Sequence, residues 1–529
     1  MQPKPHFADP CQALLQWAVT SPQQTVRAQS PAATHPAATH PVGTTPVGTT
    51  PAAHAVAGPR PPVRWLIALA LVGLTSLGGG AGWGWPGPAT ASAEERVALE
   101  EDRVTPRVFQ LSSHLQVEGE IFPQPGAQSA LPLKVDAGFR YRERFLEGAG
   151  RQAQSLRSIR FYDQAGASIT AGPQVSNSDL RNQTRLIVAQ GTDLGVELFS
   201  PQAPLQFGEL DLLHSPGDSL VIGALLPESG VEPGDRWKPE AWVLPLLAGI
   251  EAVEKGTLAC RLVSVEKSVA RVSFEGEITG AVLGASARVE LQGELTFDTE
   301  RQCWTSLSLT QREKRAVGPV SPGLDLKATL TVKRAPAADE GPLAAAPLAK
   351  IPLQPNPASR LLMFEAPAWN TRFLYERNWH LLTQNSDLAM LRLLEQGELL
   401  AQCTIKKLAD APPGRHVPEE VFQQDIQATL GKNFGKLLRA ERVKVRDGLY
   451  VFRVVVLGTV AAKNEEGDDA ATPMQWIYYL VANADGRQLA LVFTSDPKRA
   501  ERWKDRDLGI VGGVEFLPVN QPAPRAAAR

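Results

Sequence analysis

Hydrophobic and polar residues alternate along LPLKVDAGFRYRERF, residues 131–145. One parity of this stretch carries Leu131, Leu133, Val135, Ala137, Phe139, Tyr141 and Phe145, and the other carries Lys134, Asp136, Arg140, Arg142 and Arg144. A period of two over this length is typical of a β-strand with one buried face and one face in solvent. The pattern therefore predicts a strand across residues 131–145.

The same alternation recurs at residues 271–278, 289–297 and 324–332, and it lapses between about 208 and 252. Strands with one apolar face are characteristic of antiparallel sheets, in which one side packs on a core. Residues 94–334 are therefore predicted to form a β-rich domain, either an antiparallel sandwich or an open barrel. The lapse predicts short helices or a covering loop within that domain.

A second folded region is predicted for residues 360–518. Three short strands are expected between 372 and 408, followed by an amphipathic helix over 418–441, because apolar residues recur there at helical spacing. Further strands follow in VKVRDGLYVFRVVVLGTV and in MQWIYYLVANADGRQLALVFTS, where Asp485-Gly486 is a hairpin turn. A helix around residues 497–505 and a closing strand complete an α/β domain.

Residues 360–518 have three features that suggest a known fold. These are the order β-β-β-α-β-β-β-α-β, the opening strand with Asn378-Trp379 and the ending Gly513-Val514-Glu515-Phe516. This region resembles the PsbP-like α/β/α sandwich that is also seen in DcrB-type envelope proteins. The resemblance implies a mostly non-enzymatic accessory or binding role and transfers no site residues. The chain as a whole also resembles uncharacterised secreted proteins of planctomycete bacteria.

The connecting and terminal regions have compositions that bury little apolar surface. Residues 335–359 are rich in proline and alanine and predict a flexible linker. Residues 1–62 contain a Pro/Ala/Thr-rich repeat and residues 519–529 form a short tail, and both are predicted to be disordered. An alternative for residues 1–62 is that translation starts at Val63.

Residues 63–93 have the parts of an export signal: a basic flank, an apolar core and the small residues Ala91-Ser92-Ala93. Cleavage after Ala93 would make Glu94 the first residue of the exported protein. A second reading is an uncleaved membrane anchor, and a third is a buried core helix. Both of the first two readings place the later residues outside the membrane, so a periplasmic, secreted or outward-facing anchored protein is expected.

The formal net charge of −2 is close to balance, which disfavours nucleic-acid binding and a polybasic membrane patch. Membrane contact is expected only through residues 63–93. Metalloprotease, P-loop, nucleophile-elbow and Cys/His metal spacings are not found, so no cofactor, no metal and no catalytic residue is predicted. Gly217-Asp218-Ser219-Leu220 matches the short signature of GDSL-type esterases, but no Asp-x-x-His follows it, and a structural turn is favoured.

Two further sets of residues each have two possible interpretations. Cys260 and Cys303 share parity with apolar neighbours, so they are either bridged by a disulfide or present as two buried thiols. Trp379, Trp476 and Tyr478 either line a binding surface or pack in the core, and core packing is favoured for aromatic residues on strands.

These observations lead to three hypotheses about function. The first is an exported, non-enzymatic envelope protein that acts as a binding or accessory module for an unknown envelope protein or ligand. The second is a carrier of an apolar small molecule or lipid in the β-rich domain, which needs an apolar cavity of several hundred cubic ångströms, whereas a solid core would leave protein binding. The third is a hydrolase with an unrecognised site.

Overall fold

A computed structural model describes residues 96–103, 107–123, 130–146, 152–463 and 469–518, and these residues belong to one compact unit. The predictions for residues 1–62, for the export segment 63–93 with its cleavage between Ala93 and Glu94, and for the tail 519–529 lie outside the described residues.

The first sheet contains twelve strands, and every neighbouring pair is antiparallel. Its strand order is β6-β5-β3-β2-β1-β12-β11-β10-β9-β8-β7, with β4 paired to β3 outside this path, so among the described residues the sheet is open. The strands are β1 (Val108–Phe122), β2 (Leu131–Phe145), β3 (Arg157–Ala171), β4 (Gln174–Asp179), β5 (Leu186–Thr192), β6 (Gly195–Phe199), β7 (Arg236–Trp237), β8 (Ala252–Glu266), β9 (Val269–Val282), β10 (Ala285–Asp298), β11 (Cys303–Arg315) and β12 (Gly323–Ala337).

The predicted alternation agrees with the observed strands. β2 begins at Leu131 and ends at Phe145, and its inward residues Phe139 and Tyr141 are buried while Arg140 is exposed. The prediction of a β-rich, mainly antiparallel fold is confirmed. Because β1 pairs with both β2 and β12, the beginning and the end of this region lie side by side in the middle of the sheet.

Residues 205–250, here named the covering segment, lie over the inward face of the first sheet, apart from Arg236–Trp237, which form its edge strand β7. The segment contains helices α1 (Phe207–Leu213), α2 (Ser219–Ile222) and α3 (Val243–Ala248), together with a 3-10 turn at Gly223–Leu225. Its leucine, valine and isoleucine side chains share one apolar core with the inward residues of β8 to β12. The lapse in alternation thus corresponds to short helices that fill the inward face.

Residues 335–359 pack on the opposite face of the first sheet over part of their length. β12 continues to Ala337, a 3-10 turn follows at Gly341–Leu343, and helix α4 (Ala345–Leu348) comes next. Leu343 and Leu348 are buried in a small core with Ile159, Val188 and Phe199.

The remaining strands form a seven-stranded and a three-stranded sheet. The seven-stranded order is β15-β16-β17-β21-β20-β19-β18, and the three-stranded order is β13-β14-β22. The strands are β13 (Leu362–Ala366), β14 (Thr371–Tyr375), β15 (Trp379–Gln384), β16 (Leu388–Glu395), β17 (Glu398–Lys407), β18 (Phe434–Arg442), β19 (Leu449–Lys463), β20 (Asp469–Asn483), β21 (Gln488–Ser495) and β22 (Glu515–Phe516). Helices α5 (Glu419–Leu430) and α6 (Arg506–Gly513) belong to two different apolar cores.

The helical content of residues 360–518 is lower than predicted. Every strand pair of the described seven-stranded sheet is antiparallel, so no parallel β-α-β crossover is present there, and the α/β classification is not supported. The helix predicted over 418–441 ends at Leu430, and its second half is strand β18. The predicted helix around residues 497–505 is a 3-10 turn at Pro497–Arg502, after which α6 begins.

Two hairpin turns meet where the first sheet contacts the seven-stranded sheet. Leu283-Gly284 joins β9 to β10 and Gln396-Gly397 joins β16 to β17, and all four residues have positive φ. Both central residues of such two-residue turns have positive φ, and in both turns glycine, the most permissive residue, occupies the second position. The turns touch through their backbones, because a Cβ atom on Gly284 would overlap the Gly397 carbonyl oxygen.

Replacing Gly284 with alanine is expected to lower the free energy of unfolding by at least about 1 kcal/mol more than Gly414→Ala does. Gly414 is the matched control: its φ of 74° is close to the 76° of Gly284, but nothing lies within 4 Å of its added Cβ. Urea unfolding of both variants measures the difference. Equal losses would show that the contact between the two turns is unimportant for stability.

Candidate binding site

The site begins with Arg96–Arg103, a segment named here the strap, which lies outside the named strands. Val97 and Val231 form an antiparallel bridge in which each backbone N–H donates to the other carbonyl, at 2.9 and 3.0 Å. Leu99 is 1% exposed and belongs to the main core. The Asp102 N–H donates to the carbonyl of Gln302 at 3.0 Å. The strap is therefore held as an extended peptide by one bridge and one apolar anchor.

A buried carboxylate is the third anchor of the strap. The side chain of Glu101 is 2% exposed, and it accepts hydrogen bonds from Arg334 Nη1 and from Arg103 Nε, the latter at 2.9 Å. Burial raises the pKa of Glu101, but the two guanidinium groups outweigh it, so the net pKa is below the usual range. Glu101 is therefore a carboxylate at neutral pH, although it is buried.

Arg334 lies in a cage of aromatic rings. Its guanidinium carbon is 3.6 Å from the ring centre of Phe109, 4.6 Å from that of Trp304 and 5.2 Å from that of Phe145. These four residues are named the Arg334 cage. Arg334 Nε and Nη2 have no hydrogen-bond partner among the described residues, and neither has Arg103 Nη2. Cation–π attraction thus offsets part of the cost of burying this charge.

Gly223 makes room for the carboxylate. A Cβ atom at this position would overlap both Glu101 Oε2 and Arg103 Nη2. Since Gly223 directly follows α2, the strap and the covering segment touch at this point. The absence of a side chain at residue 223 is a steric requirement of the buried ion pairs.

A groove with a volume of about 760 Å³ runs beside the strap. The floor includes Leu99, Glu101 and Leu226, and the rim carries charges of both signs. Trp237 and Trp242 contribute to the wall, and the Trp237 indole N–H donates to the Leu225 carbonyl at 2.8 Å, which fixes that ring. The volume lies within the range of about 300 to 1,000 Å³ that is usual for small-ligand sites.

A second buried ionic cluster holds the other end of α2. Arg160 donates through Nη1 to Asp218 Oδ2 at 2.9 Å, through Nη2 to Asp218 Oδ1, and through Nε to Glu143 Oε1 at 2.8 Å. Burial raises the pKa of Asp218, but the charge and hydrogen bonds of Arg160 and the N–H of Leu220 outweigh it, so the net pKa is lowered. Asp218 is thus an ionised partner of Arg160 and also caps the start of α2.

The hydroxyl of Ser219 makes two hydrogen bonds within this cluster. It donates to Glu143 Oε1 at 2.9 Å and accepts from the Tyr141 hydroxyl at 3.0 Å. Neither partner is a histidine, so the serine–histidine pair that the GDSL-type esterase signature requires is not formed at Ser219 within the described residues. The Gly217-Asp218-Ser219-Leu220 stretch, for which a turn is favoured, forms the capped start of a short helix.

The cysteines singled out in the sequence are far apart. Cys260, Cys303 and also Cys403 are free and buried, so the disulfide alternative is wrong and the buried-thiol alternative holds. Cys260 lies on β8 and Cys303 on β11, with β9 and β10 between them. Three strand spacings place them at least ~14 Å apart, beyond the reach of a disulfide. Burial raises the pKa of Cys260 to about 12, so this thiol is inert at neutral pH.

The aromatic residues Trp379, Trp476 and Tyr478 are each at most 1% exposed. Trp379 packs edge-on against Phe493 in the main core. Trp476 and Tyr478 lie in the core under α5 with Phe422. The alternative of a binding surface is therefore wrong for these three residues. None of these three aromatic residues lies in the strap, the Arg334 cage or the groove. The sequence did not predict those three features.

Comparisons with known proteins do not identify a family. No family model matches the chain, and no curated protein matches it. Among solved structures, a protein from Bacteroides thetaiotaomicron matches with a TM-score of 0.21 and 10% identity, over 31% of this chain and 50% of that one. The Ran-binding protein Mog1p of Saccharomyces cerevisiae matches with a TM-score of 0.23 and 11% identity, over 30% of this chain and 95% of that one. Likenesses at this level assign neither fold family nor function.

Within the described ranges, no group of three or more His, Cys, Asp or Glu side chains is placed to hold a metal ion. In the same part of the chain, no helix combines the length and the apolar character that crossing a membrane requires.

Proposed function

We propose that this chain is an exported, non-catalytic binding or accessory protein of the bacterial envelope, and that its ligand binds in the groove. The groove is the observation that carries the proposal, because it combines a volume of about 760 Å³ with two tryptophans and rim charges of both signs. Fixed aromatic walls and a few charged groups are the usual components of a ligand site. Export through residues 63–93, with cleavage after Ala93, is part of the proposal.

The packing of the first sheet favours this function over an apolar carrier. The inward leucines and valines of the sheet face the covering segment, and the cavity between that segment and β1, β2, β3 and β12 has a volume of only about 20 Å³. A cavity of that size holds roughly one water molecule. The environment of Ser219 similarly favours binding over hydrolysis at that serine.

We also propose that residues 360–518 are related to the PsbP-like α/β/α sandwich. The support is the packing of helices on two different cores: Phe422 and Ile426 of α5 pack in one, whereas Ile510 and Val511 of α6 pack in the other. An accessory role for this region follows from the resemblance alone.

Filling the groove is expected to weaken ligand binding. A library of saccharides, amino acids and short peptides is screened against the protein by thermal shift, and affinities of the members that raise Tm are measured by calorimetry. Ser229→Trp, on the groove wall, should weaken binding at least about tenfold, or about 1.4 kcal/mol.

The matched control is Ser176→Trp on the exposed strand β4, which should bind as the unmodified protein does. The proposal would be contradicted if no library member binds. It would also be contradicted if Ser229→Trp and Ser176→Trp have the same affinity for a member that does bind.

A further inference from the structure

The strap has the contacts of a bound peptide more than those of a structural strand. It has one backbone bridge, at Val97, one backbone hydrogen bond from the Asp102 N–H, one apolar anchor, Leu99, and one acidic anchor, Glu101. It precedes β1 and lies outside the strand order of the first sheet. Its release would therefore leave all of the pairings between named strands intact.

Arg334, which binds the acidic anchor Glu101, has N–H groups without an acceptor among the described residues. An arginine fork can bind both oxygens of one carboxylate through two parallel hydrogen bonds. Glu101 instead gives one oxygen to Arg334 Nη1 and the other to Arg103 Nε. Arg334 Nε and Nη2 have no partner among the described residues, although the Arg334 side chain is fully buried. The strap is thus an incomplete match for the cage.

We propose that the Arg334 cage is a receptor for an acidic peptide and that the strap is its exchangeable, intramolecular occupant. The partner is an envelope protein with an extended segment in which a large apolar residue is followed, two positions later, by a glutamate or aspartate, as in Leu99-Glu100-Glu101. Its backbone would replace that of the strap at Val231, and its carboxylate would replace Glu101. This inference rests on the proposed binding function and names the class of partner.

Charge and position support this occupant. When the strap leaves, Glu101 and Arg103 leave together, and the partner carboxylate pairs with Arg334, so one buried guanidinium group still faces one carboxylate. The groove continues beside the strap and provides space through which a second extended segment can approach. Arg96 and Glu232, which pair at 3.3 Å on the surface, can separate at little cost because both are solvated.

The experiment uses a fluorescein-labelled peptide, EERVALEEDR, which has the sequence of residues 94–103. Its binding to the full chain is measured by fluorescence polarisation. Glu101→Gln weakens the strap's own hold on the cage and is expected to bind the peptide at least tenfold more tightly than the unmodified protein. Glu100→Gln removes the neighbouring exposed carboxylate and serves as the matched control, with unchanged affinity expected.

The receptor is tested in the same background. The double variant Glu101→Gln with Arg334→Met leaves no unpaired buried carboxylate, so we expect it to fold. Its affinity for the peptide should be at least tenfold weaker than that of Glu101→Gln alone. Hydrogen exchange supplies a second measurement: adding the peptide to Glu101→Gln should accelerate exchange of the Val97 and Asp102 amides of the protein.

The proposal is overturned if Glu101→Gln binds no better than the unmodified protein, or if the double variant keeps the affinity. Unchanged exchange of the strap amides at saturating peptide would also overturn it. If library ligands bind in the groove but the peptide does not bind, the proposed binding function is retained and the proposed exchange of the strap is rejected. If neither binds, both proposals fail.

Discussion

Arg334→Met is expected to lower the free energy of unfolding by about 3 to 5 kcal/mol, as is usual when one partner of a buried ion pair is removed. The substitution keeps an apolar side chain of similar length among Phe109, Phe145 and Trp304, so little packing volume is lost. It leaves the Glu101 carboxylate buried with Arg103 as its remaining cationic partner. The loss is therefore mainly electrostatic.

Urea unfolding at neutral pH measures this loss, and two further variants identify its cause. Arg312→Met on the exposed side of β11 is the matched control and should change stability by less than about 0.5 kcal/mol. Adding Glu101→Gln to Arg334→Met should restore a large part of the stability, because no buried carboxylate remains. Equal losses in the single and double variants would contradict the assigned role of the ion pair.

The alternating pattern was sufficient to predict four of the twelve strands of the first sheet, namely β2, β9, β10 and β12. Residues 131–145 and 289–297 bury one parity and expose the other, and a shift of one residue would place charges such as Arg140 in the core. The pattern contains no information on strand order. The pairing of β1 with β12 therefore came only from the structure.

Strand β18 shows why the helix prediction over 418–441 failed in its second half. The pairing of β18 with β19 has bulges between Phe434 and Lys436 and between Leu437 and Arg439. Each bulge inserts a residue, so that the period of two is interrupted and apolar residues appear three apart. That spacing imitates a helix face. Gly431, with a φ of 50°, marks the actual end of α5.

The candidate site left a weak signal in the sequence. Arg334 has the parity of Leu330 and Val332 on β12, and Glu143 has the parity of Phe139 and Tyr141 on β2. A charged residue at an inward position predicts a buried partner, because an isolated buried charge is too costly. The partner's identity was not predictable, since Glu101 and Arg334 are 233 residues apart in the chain.

The two buried ionic clusters together fix helix α2. Asp218 and Ser219 at its start bind Arg160 and Glu143, and Gly223 just after its end contacts Glu101. A helix of four residues has little stability of its own. Buried ion pairs add little net stability but impose a specific geometry when they are complete. We infer that the clusters set the position of the covering segment on the inward face of the first sheet.

Arg160→Met is expected to be the most destabilising single substitution considered for this chain, with a loss of at least about 3 to 5 kcal/mol at pH 7. Arg160 is 2% exposed and is bonded to two carboxylates, Glu143 and Asp218, whose side chains are 1% and 11% exposed. Removing Arg160 leaves two negative charges close together in the core. Arg142→Met, at a half-buried neighbouring position on β2, is the control and should lose less than about 1 kcal/mol, because its contacts with Asp163 and the Glu340 carbonyl, both at 3.4 Å, are partly solvated.

The stability loss in Arg160→Met should depend on pH, whereas the loss caused by a packing defect would not. In the unmodified protein the pKa of Asp218 is lowered, so its contribution is present above the unfolded value of 3.8 and is lost as pH falls through the lower folded value. Without Arg160, the largest remaining influence on Asp218 is burial, which opposes the weaker effect of the Leu220 N–H. We therefore expect a raised pKa of Asp218 in the variant, so that the variant is stabilised by protonation as pH falls. The stability difference between the two proteins should therefore be largest near pH 7 and shrink toward pH 4. A difference that is constant across this range in urea unfolding would contradict the electrostatic explanation and indicate lost packing instead.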